Sequence, residues 1–192
     1  MRRPRIYVPG LSAHVYQRGH NRSPVFDEAD DHAYFLDLVR NAARRYETDI
    51  HAFALMNNHF HLIATPRHEH ALPRTMKMVE GGYTRYYNRK HDRTGTVWNA
   101  RYRAKLIADE GYWLTCLRYV EHNPVRAGIV PAAALYRWTS YRVHAFGAWN
   151  DWLVPHAVYL ELGETASDRQ QAYRAICAGS DTEADLPQCL TP

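Results

Sequence analysis

The sequence predicts an α+β fold, an antiparallel sheet with helices on one face, and three observations lead to it. Four segments typical of strands alternate with segments of helical periodicity in the order β-α-β-β-α-β. Only two residues separate the second and third strands, so these strands are expected to form a hairpin. A further helix follows the fourth strand. This order is that of the ferredoxin-like fold, with the second face of the sheet expected to be open.

The first strand is predicted over residues 11–19, where apolar and polar side chains alternate. Acidic residues at 27–31 are typical of a helix start, and apolar residues recur at helical spacing from there to about Tyr46. Residues 50–56 and 59–65 are rich in strand-forming types. A helix therefore separates the first strand from the hairpin.

The turn of the hairpin is predicted at Asn57 and Asn58, since asparagine tolerates left-handed backbone geometry. After the hairpin, residues 74–89 fit a helix. Gly81 and Gly82 interrupt this pattern and could introduce a kink. Together they make the helix about 2 kcal/mol less stable than two alanines would.

A fourth strand is predicted over residues 101–108, where charged and apolar residues alternate. Residues 109–123 then form a helix that Pro124 ends, because proline disfavours helical geometry at the residue before it. We expect residues 1–138 to form one domain. Residues 139–192 are expected to form a C-terminal extension with further helix and an acidic tail.

The composition is that of a folded protein, with 46% hydrophobic and 12% aromatic residues among 192. Cys116, Cys177 and Cys189 are far apart and form no C-x-x-C pair, so neither a disulfide framework nor a cysteine zinc site is expected. No apolar run approaches the ~18 residues that cross a bilayer, and the basic start lacks the apolar run of a signal peptide. We expect a cytoplasmic protein without a membrane partner.

The charge is distributed unevenly along the chain. Residues 67–105 hold ten Lys and Arg against three acids, whereas residues 145–192 hold two Arg against seven acids. Such asymmetry is typical of a protein with an anionic partner. Residues 84–105 interleave basic and aromatic side chains, which favours a groove for single-stranded nucleic acid; a solvated helix face with core aromatics is the alternative. The candidate contacts are Arg85, Arg89, Trp98, Arg101, Arg103 and Lys105, with Arg18 and Arg22 as weaker candidates.

His59 and His61 are one residue apart in a predicted strand, so both side chains project from the same face. Their Cβ atoms are expected about 6 to 7 Å apart, a spacing that lets two imidazoles bind one ion. Two surface histidines on a polar strand are the alternative. His14 lies on a strand expected to be adjacent, so that with Ser12 and Tyr16 it could lie beside these two histidines. A hydrogen-bonded histidine of the sheet is the interpretation that we favour. Three further histidines are expected at the surface: His20, His91 and His144.

The last predicted helix offers a third ligand and a nucleophile. Tyr119 and Asn123 lie one turn apart, on a stripe that also holds Tyr112 and Cys116. A phenol and an amide oxygen opposite two histidines form a nuclease-like set, in which an ion would polarise a phosphate and the phenolate would attack it. An ordinary helix-end asparagine and an ordinary amphipathic-helix tyrosine are the alternatives.

These motifs resemble a known family, the REP-associated tyrosine transposases of the HUH single-tyrosine superfamily, relatives of insertion-sequence transposases. The resemblance rests on NNHFHLI (57–63) and RYVEHNPVRAG (118–128). It covers nearly the whole chain through PRIYVPG, QRGHNR, GTVWNARYR, LELGE and RQQAYRAI. The family run reads E-L-N-P-V-R-A, and here His122 replaces the leucine. Because His122 lies off the Tyr119 stripe, we expect the site to be intact.

The resemblance implies a function and a site. His59 and His61 would hold Mg²⁺ or Mn²⁺ with Asn123 as third ligand, and Tyr119 would attack DNA to give a 5′-phosphotyrosine and a free 3′-OH. Strands could then be rejoined without a nucleotide cofactor, and the lack of a P-loop motif agrees with this. The implied substrate is a REP-type hairpin with an adjoining single strand. Imidazole and amide donors suit Mn²⁺ at least as well as Mg²⁺, and zinc stays open.

Two other functions stay open from the sequence. The chain could be a catalytically silent module that binds single-stranded nucleic acid, or a metal hydrolase that uses activated water and leaves no protein adduct. The sequence is also compatible with a monomer or a homodimer. Whether the acidic residues in 145–192 cover the basic groove as an autoinhibitory tail is likewise open.

Overall fold

The computed structural model describes residues 7–179, and four strands of that part form one antiparallel sheet. The strands are β1 (Ala13–Arg18), β2 (Thr48–Met56), β3 (His59–Pro66) and β4 (Arg103–Leu106). Their order across the sheet is β2-β3-β1-β4, which is the ferredoxin-like order that the sequence predicts. The predicted β2–β3 hairpin is confirmed, and β1 pairs with β3 at the centre of the sheet.

Helices pack on both faces of this sheet. They are α1 (Ala29–Arg45), α2 (Ala71–Lys90), α3 (Glu110–Glu121), α4 (Asn123–Arg126), α5 (Tyr141–Phe146), α6 (Ala157–Leu160) and α7 (Ala166–Ala178). On one face, Phe60 and Leu62 of β3 share a core with α1 and α2. On the other face, Ile63 shares a core with Trp113 and Leu117 of α3. The second face is therefore not open as predicted, because the apolar stripe of α3 is buried against it.

The two glycines in the middle of α2 do not break it. The helix runs without interruption from Ala71 to Lys90, and the kink at Gly81 and Gly82 stays a prediction. A Cβ atom at Gly82 would lie 3.0 Å from Cδ2 of Leu38 on α1. Glycine at this position therefore lets α1 and α2 approach closely.

The hairpin turn is tied to the segment that leaves β1. Neither Asn57 nor Asn58 has a positive φ, so the left-handed geometry expected there is not used. The carbonyl of Asn57 accepts the backbone N–H groups of Val25 and Phe26, and Nδ2 of Asn58 donates to the carbonyl of Arg22 at 2.9 Å. Arg22 itself has a φ of 59°. These bonds hold the start of β3 beside the end of β1.

A buried polar cluster joins the C-terminal extension to α3. The carboxylate of Glu121 is fully buried and accepts hydrogen bonds from Ser140 Oγ (2.5 Å), His144 Nδ1 (2.7 Å) and Tyr173 OH (2.6 Å). Three donors offset the cost of burying this carboxylate. The prediction that His144 lies at the surface is wrong, because its side chain is buried against Glu121. His20 is exposed, as predicted.

The extension also covers the outer edge of β2. The N–H of Leu55 donates to the carbonyl of Trp138, and the N–H of Val154 donates to the carbonyl of Ile50, both at 2.9 Å. The N–H of Ser140 also donates to the carbonyl of Phe53, and α5 lies between this segment and Val154. β2 is therefore hydrogen-bonded on both sides.

In the described residues, no helix is both long and apolar enough to cross a membrane. Residues 1–6, which include part of the PRIYVPG motif, and residues 180–192, which include much of the predicted acidic tail, lie outside the described part of the chain.

Candidate active site and metal centre

β3 places His59 and His61 on the face of the sheet that α3 covers. Alternation along the strand buries Phe60 and Leu62 beneath α1 and α2, and the two histidines point the other way. Their ring centroids are 5.1 Å apart and their ring planes are nearly perpendicular, at 84°. His61 is 4% exposed and His59 is half-buried. The structure thus brings the two imidazoles together, as the alternation predicts.

Asn58 fixes the tautomer of His59. Its Oδ1 atom lies 2.7 Å from Nδ1 of His59. Because an amide oxygen only accepts hydrogen bonds, the His59 proton is on Nδ1. The lone pair is therefore on Nε2, which is the ligand atom that His59 offers to a metal.

His14 of β1 lies against His61. Its Nε2 atom is 2.8 Å from Nδ1 of His61, and the rings stack with centroids 5.0 Å apart and planes at 13°. His14 therefore lies beside the site histidines, as strand adjacency allows, and its Nδ1 atom is buried with no hydrogen-bond partner among the described residues. Nε2 of His61 is buried, and within residues 7–179 it has no hydrogen-bond partner. A buried nitrogen without a partner is costly, and a metal ion is a partner that suits it.

Burial keeps these imidazoles neutral. Burial, followed by the charge of Arg18, lowers the pKa of His59 to about 4. Burial, followed by the neighbouring His14, lowers the pKa of His61 well below its usual value. Burial and then Lys105 lower the pKa of His14 to about 3. All three side chains are neutral at pH 7, and the neutral imidazole is the form that binds metal.

α3 brings Tyr119 to the histidines. Its ring meets both His14 and His61 edge-on, with centroids 5.9 Å apart in each pair. The guanidinium carbon of Arg126 lies 5.3 Å from the centre of the Tyr119 ring. Burial raises the pKa of the phenol, while the charge of Arg126 and a hydrogen bond with Asn123 oppose this rise. The phenol is protonated at pH 7 and must lose its proton to act as a nucleophile.

Asn123 belongs to α4 and not to the helix of Tyr119. The predicted helix over residues 109–123 ends earlier, at Glu121, and Pro124 lies in the first turn of α4. Proline is accepted there because a first-turn N–H has no partner within its helix. Nδ2 of Asn123 donates to the carbonyl of Tyr119 at 3.0 Å. The change of helix therefore keeps the amide beside the tyrosine.

A pocket of about 380 Å³ joins these residues. His59, His61, Tyr119 and Asn123 line it, together with four basic side chains. The basic residues are Arg18, Arg101, Arg103 and Arg126. Four guanidinium groups around a phenol create a positive field that suits a phosphodiester.

Three of the predicted nucleic-acid contacts lie away from this pocket. Arg85 and Arg89 are exposed on α2, which packs on the opposite face of the sheet. Trp98 is 5% exposed within the core, and its indole N–H donates to the carbonyl of Glu80 at 3.3 Å. Trp98 is therefore part of the core in this structure, and its ring faces are covered by protein.

The two remaining candidates lie closer to the site. Arg22 is exposed next to the hairpin turn that carries Asn58. Lys105 is half-buried on β4, where it pairs in register with His14. Neither side chain lines the pocket itself.

Two residues of the site, Arg126 and Asn58, escape prediction from the sequence. Arg126 follows Tyr119 by two helical turns, and the assumed helix end at the intervening proline hides that spacing. Tyr16 shares a strand face with His14, as strand alternation predicts, and its hydroxyl accepts from Arg103 at 3.2 Å. Asn58 offers no signal beyond its place beside the first histidine.

The donor set of the pocket fits a divalent ion. His59 and His61 supply neutral imidazole nitrogens, and Asn123 supplies an amide oxygen. Mixed nitrogen and oxygen donors suit Mn²⁺ at least as well as Mg²⁺. The unpartnered Nε2 of His61 is the specific feature that a bound ion would satisfy.

A second group of possible metal ligands lies among the helices. Asp27, Asp31 and His91 bring ligand atoms within 4.8 Å of one another. The carboxylate of Asp31 already accepts from Lys90 at 2.7 Å and from the backbone N–H groups of Asp27 and Glu28 at 2.9 Å. These bonds show a structural role for the group: Asp31 caps the start of α1 and connects it to the end of α2. His91, predicted at the surface, is partly buried there.

Comparison with known proteins identifies a family and similar folds. A family model described as Transposase IS200 like matches residues 7–123. A solved REP-associated tyrosine transposase, bound to a REP hairpin, is 16% identical with a TM-score of 0.65, over 82% of this chain and 96% of that chain. A structure from Deinococcus radiodurans R1, provisionally assigned as a transposase, is 20% identical with a TM-score of 0.44, over 60% of this chain and 92% of that chain. Among curated protein sequences, none matches significantly.

Proposed function

Because the chain belongs to the IS200-like transposase family, we propose that it cuts and rejoins single-stranded DNA with Tyr119 as nucleophile, in a reaction that depends on a divalent metal ion. The position of Tyr119 carries this proposal. Its ring lies edge-on to His61, in a pocket that also holds His59 and Asn123 and is lined by arginines. This combination suits attack on a phosphodiester.

In the proposed reaction, the phenolic oxygen of Tyr119 attacks a backbone phosphorus and loses its proton. A bond forms between the phosphorus and this oxygen, and the bond from the phosphorus to the 3′ oxygen of the preceding nucleotide breaks. The leaving oxygen takes a proton and becomes a 3′-OH, while the DNA remains linked through a 5′-phosphotyrosine. Because this ester keeps the energy of the broken bond, a 3′-OH can attack it in reverse and rejoin the strands.

His59, His61 and Asn123 would hold the metal ion. When bound, a divalent ion supplies Lewis-acid polarisation of the scissile phosphate. The chain contributes by keeping both imidazoles neutral through burial and by fixing His59 through Asn58. Mn²⁺ and Mg²⁺ are both compatible with this donor set.

The arginines of the pocket would stabilise the negative charge of the Tyr119 phenolate and of the DNA phosphates. Arg126 lies over the ring of Tyr119, and its charge favours the phenolate. Arg18 acts in the same direction more weakly. Arg101 and Arg103 line the same pocket, where guanidinium groups can bind the phosphates that flank the reacting one.

The substrate that we propose is a REP-type hairpin with an adjoining single strand. The solved transposase with the same fold is bound to a REP hairpin. The pocket, about 380 Å³ in volume and lined by arginines, is expected to take a short length of unpaired strand. The reacting phosphate would therefore belong to the single-stranded part.

The test is a reaction of the purified protein with labelled single-stranded DNA that carries a REP hairpin, with Mn²⁺ or Mg²⁺, resolved on a denaturing gel. We expect a covalent protein–DNA band that is lost in Tyr119→Phe and in His59→Ala. Arg142→Gln, at an exposed arginine of α5 outside the pocket, is the control and should keep the band.

Two other outcomes would replace this proposal. Cleavage without an adduct would establish a metal hydrolase. Tight binding with neither product, over several hairpins, would establish a silent module that binds nucleic acid.

A further inference from the structure

We propose that His14 is a positioning residue for the metal ligand His61, in the same way that Asn58 positions His59. The inference rests on the proposed function, because it concerns the metal that His59, His61 and Asn123 would hold. It adds a residue from the central strand β1 to the two strand residues that the H-x-H motif identifies.

The geometry of the pair is that of a direct hydrogen bond. Nε2 of His14 and Nδ1 of His61 are 2.8 Å apart, within the range of a normal hydrogen bond. His14 is 1% exposed and His61 is 4% exposed, so water does not compete for these atoms. The rings are also stacked, at a centroid distance of 5.0 Å. His61 is therefore held in both position and rotation.

The hydrogen bond determines which nitrogen of His61 can bind a metal. A neutral imidazole has one N–H donor and one acceptor nitrogen. If Nε2 of His61 gives its lone pair to an ion, its proton is on Nδ1 and is donated to Nε2 of His14. His14 then carries its own proton on Nδ1, which is buried and has no hydrogen-bond partner among the described residues. A partner that accepts from the second nitrogen of a ligating histidine fixes the tautomer and makes the ligand more basic.

The two ligands would thus have two matched supports. Asn58 accepts from Nδ1 of His59 through an amide oxygen, at the partly exposed end of β3. His14 accepts from Nδ1 of His61 deeper in the sheet. Both supports are uncharged acceptors. A carboxylate, the other common support of ligating histidines, would need further donors at a site as buried as that of His14.

The test is the affinity for Mn²⁺, measured by electron paramagnetic resonance of the free ion during titration of the protein. We expect His14→Phe, which keeps a ring of similar size and removes the acceptor, to bind Mn²⁺ about 10- to 100-fold more weakly than wild type. The matched control is His51→Phe, at a buried histidine of β2 that bonds to Thr65 and Val154 and does not line the pocket. We expect the control to bind within twofold of wild type.

The outcomes separate this inference from the proposed function. Wild-type affinity in a folded His14→Phe variant would overturn the positioning role and leave the proposed function intact. A wild-type protein that binds no Mn²⁺ would overturn the proposed metal site, and the inference with it.

A second measurement applies even where His14→Phe does not fold. Nitrogen-15 NMR of the histidine side chains, in wild-type protein saturated with Mg²⁺, reports which nitrogen carries each proton. We expect the proton of His61 on Nδ1 and that of His14 on Nδ1. A His14 proton on Nε2 would contradict the proposal.

Discussion

The ring of Tyr119 meets the imidazole of His61 edge to face, with centroids 5.9 Å apart and ring planes at 89°. The tyrosine lies on α3 and the histidine on β3, so the contact joins a helix to the sheet beneath it. Trp113 and Leu117 of α3 are buried against Ile63 of β3 and hold this arrangement. The site therefore depends on how firmly α3 is held against the sheet.

We expect Asn58→Ala to weaken Mn²⁺ binding by about 10- to 100-fold, because Nδ1 of His59 loses the acceptor that fixes its tautomer. Isothermal titration calorimetry measures the effect. Asn57→Ala is the control, since Asn57 contributes its backbone carbonyl, which the substitution retains. Equal affinities in the two variants would show that the Asn58 side chain does not support the metal site.

We expect Arg126→Gln to slow adduct formation about tenfold at pH 7. Arg126 favours the phenolate of Tyr119 and so opposes the rise that burial causes in the pKa of the phenol. Its loss should therefore raise that pKa further. The alkaline rise of the single-turnover rate should accordingly move to higher pH, while DNA affinity falls less than the rate. An unchanged pH profile would assign Arg126 to DNA binding alone.

We expect Tyr173→Phe to lower the free energy of unfolding by about 1 to 3 kcal/mol, because the buried carboxylate of Glu121 loses one of its donors. Urea unfolding measures the change. Tyr34→Phe, at an exposed tyrosine of α1, is the matched control and should stay within about 0.5 kcal/mol of wild type. Equal midpoints for both variants would show that the Glu121 cluster does not stabilise the fold.

The free energy of unfolding should decrease as the pH falls below about 6.5, which is the usual pKa of a histidine side chain. Burial lowers the pKa of His51 to about 4 in the folded protein, so between these two values the unfolded chain binds more protons than the folded one. Each such histidine removes about 1.4 kcal/mol of stability per pH unit in that range. Urea midpoints between pH 7 and 4.5 should fall less steeply in His51→Phe than in wild type. Urea midpoints that fall equally steeply with pH in the two proteins would show that His51 does not cause this loss of stability.

The adjacent glycines of α2 should respond differently to alanine. Gly81→Ala should raise the free energy of unfolding by about 1 kcal/mol, since a Cβ there meets no atom closer than 3.6 Å and alanine favours helix. Gly82→Ala should gain less or lose stability, because its Cβ would lie 3.0 Å from Cδ2 of Leu38. Thermal unfolding of both variants checks this, and equal gains would show that Leu38 moves without cost.

Local patterns in the sequence predict much of the site. The H-x-H pair shares one face because strand alternation is a property of a few consecutive residues. The helical repeat likewise predicts that Tyr119 and Asn123 stay together, although Asn123 begins a new helix. The pairing of β2 with β3 follows from the two-residue connection between them, because so short a turn can join only antiparallel neighbours.

Long-range features could not be predicted from the same patterns. The 2.8 Å contact of His14 with His61 depends on the register of β1 against β3, which is set across many residues of sequence. Trp98 lies among basic residues, and only the packed structure shows that it belongs to the core. Glu121 is of a type that is rarely buried, and its burial follows from donors that come from the extension.

The hydrogen bonds that the extension makes with β2 also affect how this protein behaves at high concentration. An unpaired strand edge is a template on which other chains can add strands and aggregate. Here the outer edge of β2 is hydrogen-bonded to the main chain of Trp138, Ser140 and Val154. The opposite edge is β4, a four-residue strand that carries Arg103 and Lys105. Removing the extension would expose a long, apolar strand edge. A truncated chain would therefore be exposed to intermolecular β-sheet growth that the full chain resists.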